Sequence, residues 1–171
     1  KTGLALRTLE QEDAILALSR PDSFSLYVSI PFCPSRCDYC SFVSQTVTRA
    51  AKLVPAYVEL LTQELRETGR IAASLGLRLE TVYFGGGTPT TLTAEQLARL
   101  LQTIGESFDL SHLREYTVEA GRPDTVTADK FRAMKAAGVS RISINPQTLQ
   151  DRVLEAIGRR HTAAQFYEAY D

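Results

Sequence analysis

Cysteine, histidine and tryptophan are scarce in this sequence, and the scarcity limits the chemistry that the chain can support. The 171 residues include three cysteines, two histidines and no tryptophan. Because three is an odd number, the cysteines cannot all pair in internal disulfides. Neither His112 nor His161 has the close spacing to the cysteines that a zinc finger uses. The clustered cysteines therefore indicate a metal centre rather than a disulfide framework.

The sequence also lacks an excess of charge of one sign and a long apolar run. Its 19 basic and 20 acidic residues give a formal net charge of −1, which disfavours an electrostatic binder of nucleic acid. No run of about 18 apolar residues is present to span a bilayer, and residues 1–20 are amphipathic rather than typical of a signal peptide. We therefore expect a cytoplasmic protein with no nucleic-acid partner and no membrane insertion.

Short β-rich runs alternate with amphipathic helical patterns along the chain. The predicted strands cover residues 25–30, 79–84, 115–119 and 140–144. The predicted helices cover residues 54–75, 94–104 and 128–137. Thr93 and Thr127 are placed to cap two of these helices, and Gln96 completes a capping box with Thr93. The alternation predicts an α/β fold built from βαβ units with parallel strands.

Each predicted strand leads into a loop rich in glycine, proline or cysteine. The carboxyl ends of parallel strands meet at one edge of a sheet or barrel, so we expect the four loops to share one site. A closed barrel needs about eight βα units and about 250 residues. Since only about four units are predicted, we expect an incomplete (β/α) barrel over residues 25–171, preceded by a helical extension over residues 1–24.

The three cysteines, Cys33, Cys37 and Cys40, lie within one short loop. Thiolates are soft ligands that select zinc, cuprous copper or an iron–sulfur cluster. A structural zinc ion would need a fourth ligand from a distant part of the chain. A cubane cluster held by three cysteines leaves one iron open to a small molecule. We favour an iron–sulfur cluster. The alternatives are a zinc site and three cysteines that serve only as small buried apolar residues.

Glycines and a carboxylate follow the second and third predicted strands. Gly86, Gly87 and Thr88 belong to a glycine-rich run, and the missing Cβ atoms of its glycines would let a ligand approach the main chain, unless the run is only a tight turn. The run matches neither the GxGxxG pattern nor a P-loop. Glu119 could accept hydrogen bonds from hydroxyl or ammonium groups, or it could be a solvated carboxylate at a strand end.

Two further polar residues lie near the fourth predicted strand. Gln147 offers both a donor and an acceptor, although it could instead cap the next helix. Arg159 lies on or just after a helix, where it could bind a ligand carboxylate or face solvent. We include both residues in the predicted site.

The cysteine loop, CPSRCDYC at residues 33–40, resembles the CxxxCxΦC signature of radical S-adenosylmethionine (SAM) enzymes, with Tyr39 as the aromatic residue. The resemblance implies a [4Fe–4S] cluster on the three cysteines, with SAM on the open iron and its adenine against Tyr39. An electron from the reduced cluster would then cleave SAM to a 5′-deoxyadenosyl radical. It also implies that the chain is the N-terminal part of a radical SAM partial (β/α) barrel with parallel strands.

Four segments resemble the oxygen-independent coproporphyrinogen III oxidase family, and two of them its coproporphyrinogen dehydrogenase-like branch. YVSIPFC at residues 27–33 and GGGTPT at 85–90 are typical of the family, while EAGRPD at 119–124 and RISINPQ at 141–147 are similar to the branch. The resemblance implies that the following residues contact SAM: Tyr27, Tyr39, Gly86, Gly87, Thr88, Glu119, Gln147 and Arg159.

In that family the radical takes hydrogen from a propionate of the porphyrinogen, and loss of CO2 and one electron leaves a vinyl group. The implied partners are a tetrapyrrole substrate and a low-potential electron donor such as a flavodoxin-type protein. Ser29 stands where the oxidase has histidine, and Phe42 stands where it has a further cysteine. Related proteins without oxidase activity act as haem chaperones, so a haem-binding role is the alternative.

Overall fold

The computed structural model describes residues 2–171 and contains one main sheet with helices packed on one of its faces. Its strands are β1 (Ser23–Ile30), β2 (Phe32–Cys33), β3 (Gln45–Thr46), β4 (Arg78–Gly86), β5 (Glu115–Glu119) and β6 (Arg141–Ser143). Its helices are α1 (Thr2–Leu16), α2 (Val47–Ala50), α3 (Val54–Ser74), α4 (Ala94–Ser107), α5 (Ala128–Ala136), α6 (Asp151–Ala156) and α7 (Ala163–Tyr170). Short 3₁₀ turns at Pro89–Thr91 and Pro123–Thr125 follow β4 and β5.

The main sheet has the strand order β1-β4-β5-β6, and each neighbouring pair is parallel. Helices α3, α4 and α5 connect each strand of this sheet to the next. The α/β fold with parallel strands that the sequence predicts is therefore confirmed. A second, two-stranded sheet pairs β2 with β3 in parallel and holds the two ends of the cysteine loop together.

The register of the main sheet aligns the carboxyl ends of its strands. Ile30 at the end of β1 lies opposite Gly86 at the end of β4, and Glu119 at the end of β5 lies opposite Ser143 at the end of β6. The loops that follow the four strands consequently emerge at the same edge of the sheet. We call this the carboxyl edge.

One face of the sheet forms the hydrophobic core with α3 and α4. The strand residues on this face are at most 1% exposed, and each such burial contributes on the order of 1.5–3 kcal/mol. They are Val28, Ile30, Val82, Phe84, Tyr116 and Val118. Because strand side chains alternate between faces, the opposite face carries Tyr27, Tyr83 and Glu119. We call it the open face.

The predicted helices and caps correspond to helices α3, α4 and α5. The capping box of Thr93 and Gln96 is present, and the Thr127 hydroxyl accepts a hydrogen bond from the main-chain N–H of Lys130. Helix α4 extends to Ser107 and β4 to Gly86, both beyond their predicted ends. The elements β2, β3 and α2 were not predicted, because segments of two to four residues are too short to show a periodic pattern. Helix α6 is the helix expected between Gln147 and Arg159, whose bounds were not predicted.

Helix α1 covers Thr2–Leu16 and has no buried side chain. Strand β1 begins at Ser23, inside the predicted extension of residues 1–24, and the domain boundary at residue 24 stays a prediction. Within residues 2–171, no helix combines the length and the apolar content that crossing a bilayer requires.

Gly69 of α3 lies directly against the carboxyl end of α4 and provides a test of this packing. A Cβ at Gly69 would lie 2.3 Å from the Ser107 carbonyl oxygen, whereas a Cβ at Gly105 of α4 would meet no atom within 4 Å. We expect Gly69→Ala to lower the free energy of unfolding by about 1–3 kcal/mol through overpacking. Gly105→Ala should raise it by about 0.5–1 kcal/mol, because alanine loses less chain entropy in a helix. Urea denaturation measures both values, and changes of the same sign would contradict the packing.

Candidate functional site

The cysteine loop lies at the carboxyl edge between β2 and β3. Cys33 ends β2, and Cys37 and Cys40 follow in the loop, where all three are partly buried free thiols. The Cys40 N–H donates to the Cys37 carbonyl at 3.1 Å and closes a turn between these two residues. The structure thus keeps the three thiols in one compact loop that remains accessible from outside.

This loop is anchored to the segment that follows α6. The Ser35 hydroxyl donates to the Gly158 carbonyl at 3.0 Å, and the Asp38 N–H donates to the Ile157 carbonyl at 3.2 Å. Gly158 has φ of +75°, and a Cβ there would lie 2.9 Å from the Arg36 carbonyl oxygen. Glycine is therefore required at this position on both conformational and steric grounds. Sequence analysis did not single it out, because its contacts are distant in sequence.

The glycine run at the end of β4 packs against Cys33 through Gly87. A Cβ at Gly87 would lie 2.9 Å from the Cys33 sulfur and 2.8 Å from the Phe32 carbonyl oxygen. The buried Thr88 hydroxyl donates to the Cys33 sulfur at 3.6 Å. Gly86 has φ of +103°, which L residues with a side chain rarely adopt. Two predicted site residues, Gly87 and Thr88, therefore contact the first cysteine, while Gly86 lies against Ser29 and Ile30.

Arg122, which sequence analysis did not select, places a positive charge beside the second cysteine. It is 2% exposed, and its Nη1 lies 3.7 Å from the Cys37 sulfur. Nη2 donates to the Ser35 hydroxyl at 3.0 Å, and Nε pairs with Asp124 at 3.3 Å. The sequence feature that could have indicated Arg122 is its position in a loop that follows a predicted strand, at the carboxyl edge of the sheet.

On the open face, Glu119 is held by a tyrosine. The Tyr83 hydroxyl donates to Glu119 Oε1 at 2.5 Å, and this hydrogen bond, together with burial, raises the pKa of Tyr83 to about 12. Tyr27 stacks on Tyr83 with 5.9 Å between the ring centroids. Gly85 makes room for the pair, because a Cβ there would lie 3.0 Å from the Tyr27 hydroxyl. The result is an oriented carboxylate next to an exposed aromatic ring.

Gln147 and Arg159 meet at Tyr39. The Tyr39 hydroxyl accepts from Gln147 Nε2 at 2.5 Å and from Arg159 Nη1 at 3.5 Å. Arg159 is 7% exposed and also donates to the carbonyls of Gly121 and Asn145 at 2.7 and 2.9 Å. The solvent-facing alternative for Arg159 is therefore wrong. Gln147 directs its side chain to the cysteine loop rather than to a helix cap.

The histidines occupy other environments. His161 is 2% exposed and lies 3.2 Å from the Pro146 carbonyl oxygen, and burial lowers its pKa. His112 is exposed in the turn before β5, at the opposite edge of the sheet. Throughout residues 2–171, no three His, Cys, Asp or Glu side chains are arranged to hold a single metal ion.

The donor set fits an iron–sulfur cluster better than a zinc ion. Each cysteine of a cubane cluster binds a different iron, so the three sulfurs need not converge on one point. Thiolate ligation makes such a cluster anionic, and the site provides the Arg122 guanidinium at Cys37 and the Thr88 hydroxyl at Cys33. Gly87 lets the Cys33 sulfur approach the main chain more closely than any side chain at that position would allow. These residues fit a [4Fe–4S] cluster on Cys33, Cys37 and Cys40.

A sequence profile described as "Radical SAM superfamily" matches residues 27–171. The "oxygen-independent coproporphyrinogen-III oxidase-like protein HemZ" of Bacillus subtilis is 41% identical over 150 residues, which cover 87% of this chain and 30% of that protein. The "heme chaperone HemW" of Lactococcus lactis is 38% identical over 154 residues, which cover 90% of this chain and 38% of that protein.

Among solved structures, coproporphyrinogen III oxidase (HemN) from Escherichia coli, described as a radical SAM enzyme, matches with a TM-score of 0.73 and 27% identity. The match covers 85% of this chain and 32% of that one. The chain thus spans between 30% and 38% of the length of these three proteins. The matching proteins thus include some that are named as oxidases or oxidase-like and some that are named as haem chaperones.

Gly87→Ala tests the contact between the glycine run and Cys33. We expect the added methyl group to displace the Cys33 thiol, at a strain of about 1–3 kcal/mol. After anaerobic reconstitution the variant should hold much less iron per chain than the parent. Gly121→Ala is the matched control at the next strand end, because a Cβ there would meet its nearest atom at 3.8 Å. Equal iron contents in the two variants would contradict the inference that the contact between Gly87 and Cys33 supports cluster binding.

Proposed function

Because this chain belongs to the radical SAM superfamily, we propose that Cys33, Cys37 and Cys40 bind a [4Fe–4S] cluster and that SAM binds beside it. When bound, the reduced cluster supplies the electron that cleaves SAM to a 5′-deoxyadenosyl radical. The observation that carries the proposal is the placement of three thiols in one loop at the carboxyl edge, next to the glycine run and at the same edge of the sheet as Glu119.

The open face supplies groups for the polar parts of SAM. Gly86 and Gly87 leave the main chain accessible next to Cys33, where the methionine ammonium would lie. Glu119 accepts hydrogen bonds from ribose hydroxyls or from the ammonium group, and Tyr83 restricts its orientation. Tyr27 is 59% exposed beside this carboxylate and offers a ring face to the ligand.

Tyr39 supplies a surface for the adenine. Its ring is 53% exposed, while its hydroxyl is held by Gln147 and Arg159. An aromatic ring held at its polar end loses little freedom when a flat heterocycle stacks on it. Gln147 and Arg159 thus support SAM binding by holding the Tyr39 ring in place. Arg159 also adds a positive charge beside the Tyr39 hydroxyl.

For the reaction, we propose oxidative decarboxylation of coproporphyrinogen III propionates in haem biosynthesis, in the cytoplasm. In this reaction a hydrogen atom would pass from the propionate to the 5′-deoxyadenosyl group of SAM, and loss of CO2 and of one electron to an external acceptor would leave the vinyl group. A low-potential donor of the flavodoxin type would supply the electron for the cluster. Similarity to HemZ and to HemN supports this substrate class.

A haem chaperone is the second candidate function. Identity to HemW reaches 38%, and two positions depart from the oxidase pattern. Ser29 lies on the open face beside Gly86, and Phe42 is 62% exposed after the cysteine loop. Under this alternative the chain binds haem without oxidising a porphyrinogen.

Metal analysis after anaerobic reconstitution tests the cluster. We expect about four irons and four acid-labile sulfides per chain, as a [4Fe–4S] cluster contains. Cys37→Ala should lose both, whereas Ser41→Ala, an exposed neighbour of the loop, should retain them. Zinc without sulfide, or a folded parent without metal, would refute the proposal.

Product analysis distinguishes the two functions once the cluster is present. With dithionite as reductant, the oxidase should form 5′-deoxyadenosine and consume coproporphyrinogen III. A chaperone should bind haem with one-to-one stoichiometry and leave the porphyrinogen unchanged. Absence of SAM cleavage by the loaded protein would count against the radical reaction.

A further inference from the structure

We infer that Arg122 tunes the reduction potential of the cluster, by holding a fixed positive charge against the Cys37 ligand so that the cluster accepts an electron more readily. The inference rests on the proposed function, since it requires a cluster on the three cysteines. It concerns a residue outside the cysteine motif and outside the SAM contacts proposed above.

The charge of Arg122 is buried, and its ion pair with Asp124 involves only the Nε side of the guanidinium. Its side chain is 3% exposed, and among the residues that the structure describes its one ion-pair partner is Asp124. A buried guanidinium is costly unless its donors are paired with acceptors or with negative charge. Its other contacts are the neutral Ser35 hydroxyl and carbonyl and the Cys37 sulfur. An anionic cluster on Cys37 would add a second negative group, on the Nη1 side of the guanidinium that Asp124 does not reach.

Hydrogen bonds hold both the main chain of Arg122 and its guanidinium group. The Arg122 carbonyl accepts hydrogen bonds from the Thr125 N–H at 3.0 Å and from the Thr125 hydroxyl at 2.8 Å, which fix the main chain at the start of the 3₁₀ turn. At the other end, Nε faces Asp124 while Nη1 and Nη2 face the cysteine loop. The charge is therefore held in place before any cluster binds.

Such a charge favours the reduced state of the cluster. Reduction by one electron, supplied by a low-potential donor or by dithionite, adds one negative charge to the cluster. A nearby cation and a hydrogen bond to a ligating sulfur both stabilise that added charge, and both are known determinants of cluster potentials. Burial strengthens the effect because solvent screens the charges less. Arginine stays protonated at all ordinary pH values, so the effect is permanent.

Redox titration of the reconstituted protein, followed by electron paramagnetic resonance, measures the effect without any turnover. At a fixed ambient potential, Arg122→Gln should lower the ratio of reduced to oxidised cluster at least tenfold, which equals about 59 mV for a one-electron couple. Arg122→Lys retains the charge and should keep the ratio within about threefold of the parent. Asp124→Asn removes the competing carboxylate and should raise the ratio.

Iron and sulfide are measured first in every variant, which separates the two proposals. A parent that binds no cluster refutes the proposed function and this inference together. Loaded variants with an unchanged ratio refute the inference and leave the proposed function intact. Equal losses in Arg122→Gln and Arg122→Lys would also overturn it, because charge would not be the cause. If Arg122→Gln assembles no cluster, an unchanged ratio in Asp124→Asn overturns the inference.

Discussion

Parallel pairing of β1 with β4, β4 with β5 and β5 with β6 decides where each functional group of this chain lies. The pairing brings the glycine run next to Cys33 and places Glu119 beside the strand that carries Tyr83. A shift of one residue in any pair would move its side chains to the other face, so that core residues and site residues would exchange places. The buried face resists such a shift, because Val28, Val82, Phe84 and Val118 are at most 1% exposed.

Two electrostatic environments lie at the carboxyl edge, one at the cysteine loop and one on the open face of the sheet. Beneath the loop, Arg122 is buried and directs its donors to Cys37 and Ser35. On the open face, Glu119 presents a carboxylate that Tyr83 orients. An anionic inorganic group suits the first environment, and a cationic organic group such as an ammonium suits the second. The radical SAM reaction needs both kinds of ligand in adjacent positions, which agrees with the family of the chain.

Local patterns in the sequence account for much of this arrangement and miss what depends on distant contacts. The alternation of β-rich and helical segments, the Thr93 capping box and the cysteine loop are encoded within short windows, so they could be predicted. The burial of Arg122 could not, because it depends on Ser35, 87 residues away. Likewise, the bond between Tyr83 and Glu119 spans 36 residues. Helix α2 was missed because four residues carry too little periodicity.

The contact between Ser35 and Gly158 joins residues 123 positions apart. During synthesis the cysteines leave the ribosome long before the segment that anchors their loop, since chains emerge amino end first at about 5–20 residues per second. For several seconds the nascent chain therefore carries three thiols in an unanchored loop. Assembly of the proposed cluster would consequently be a late event, timed by the emergence of Gly158 rather than by that of the three cysteines.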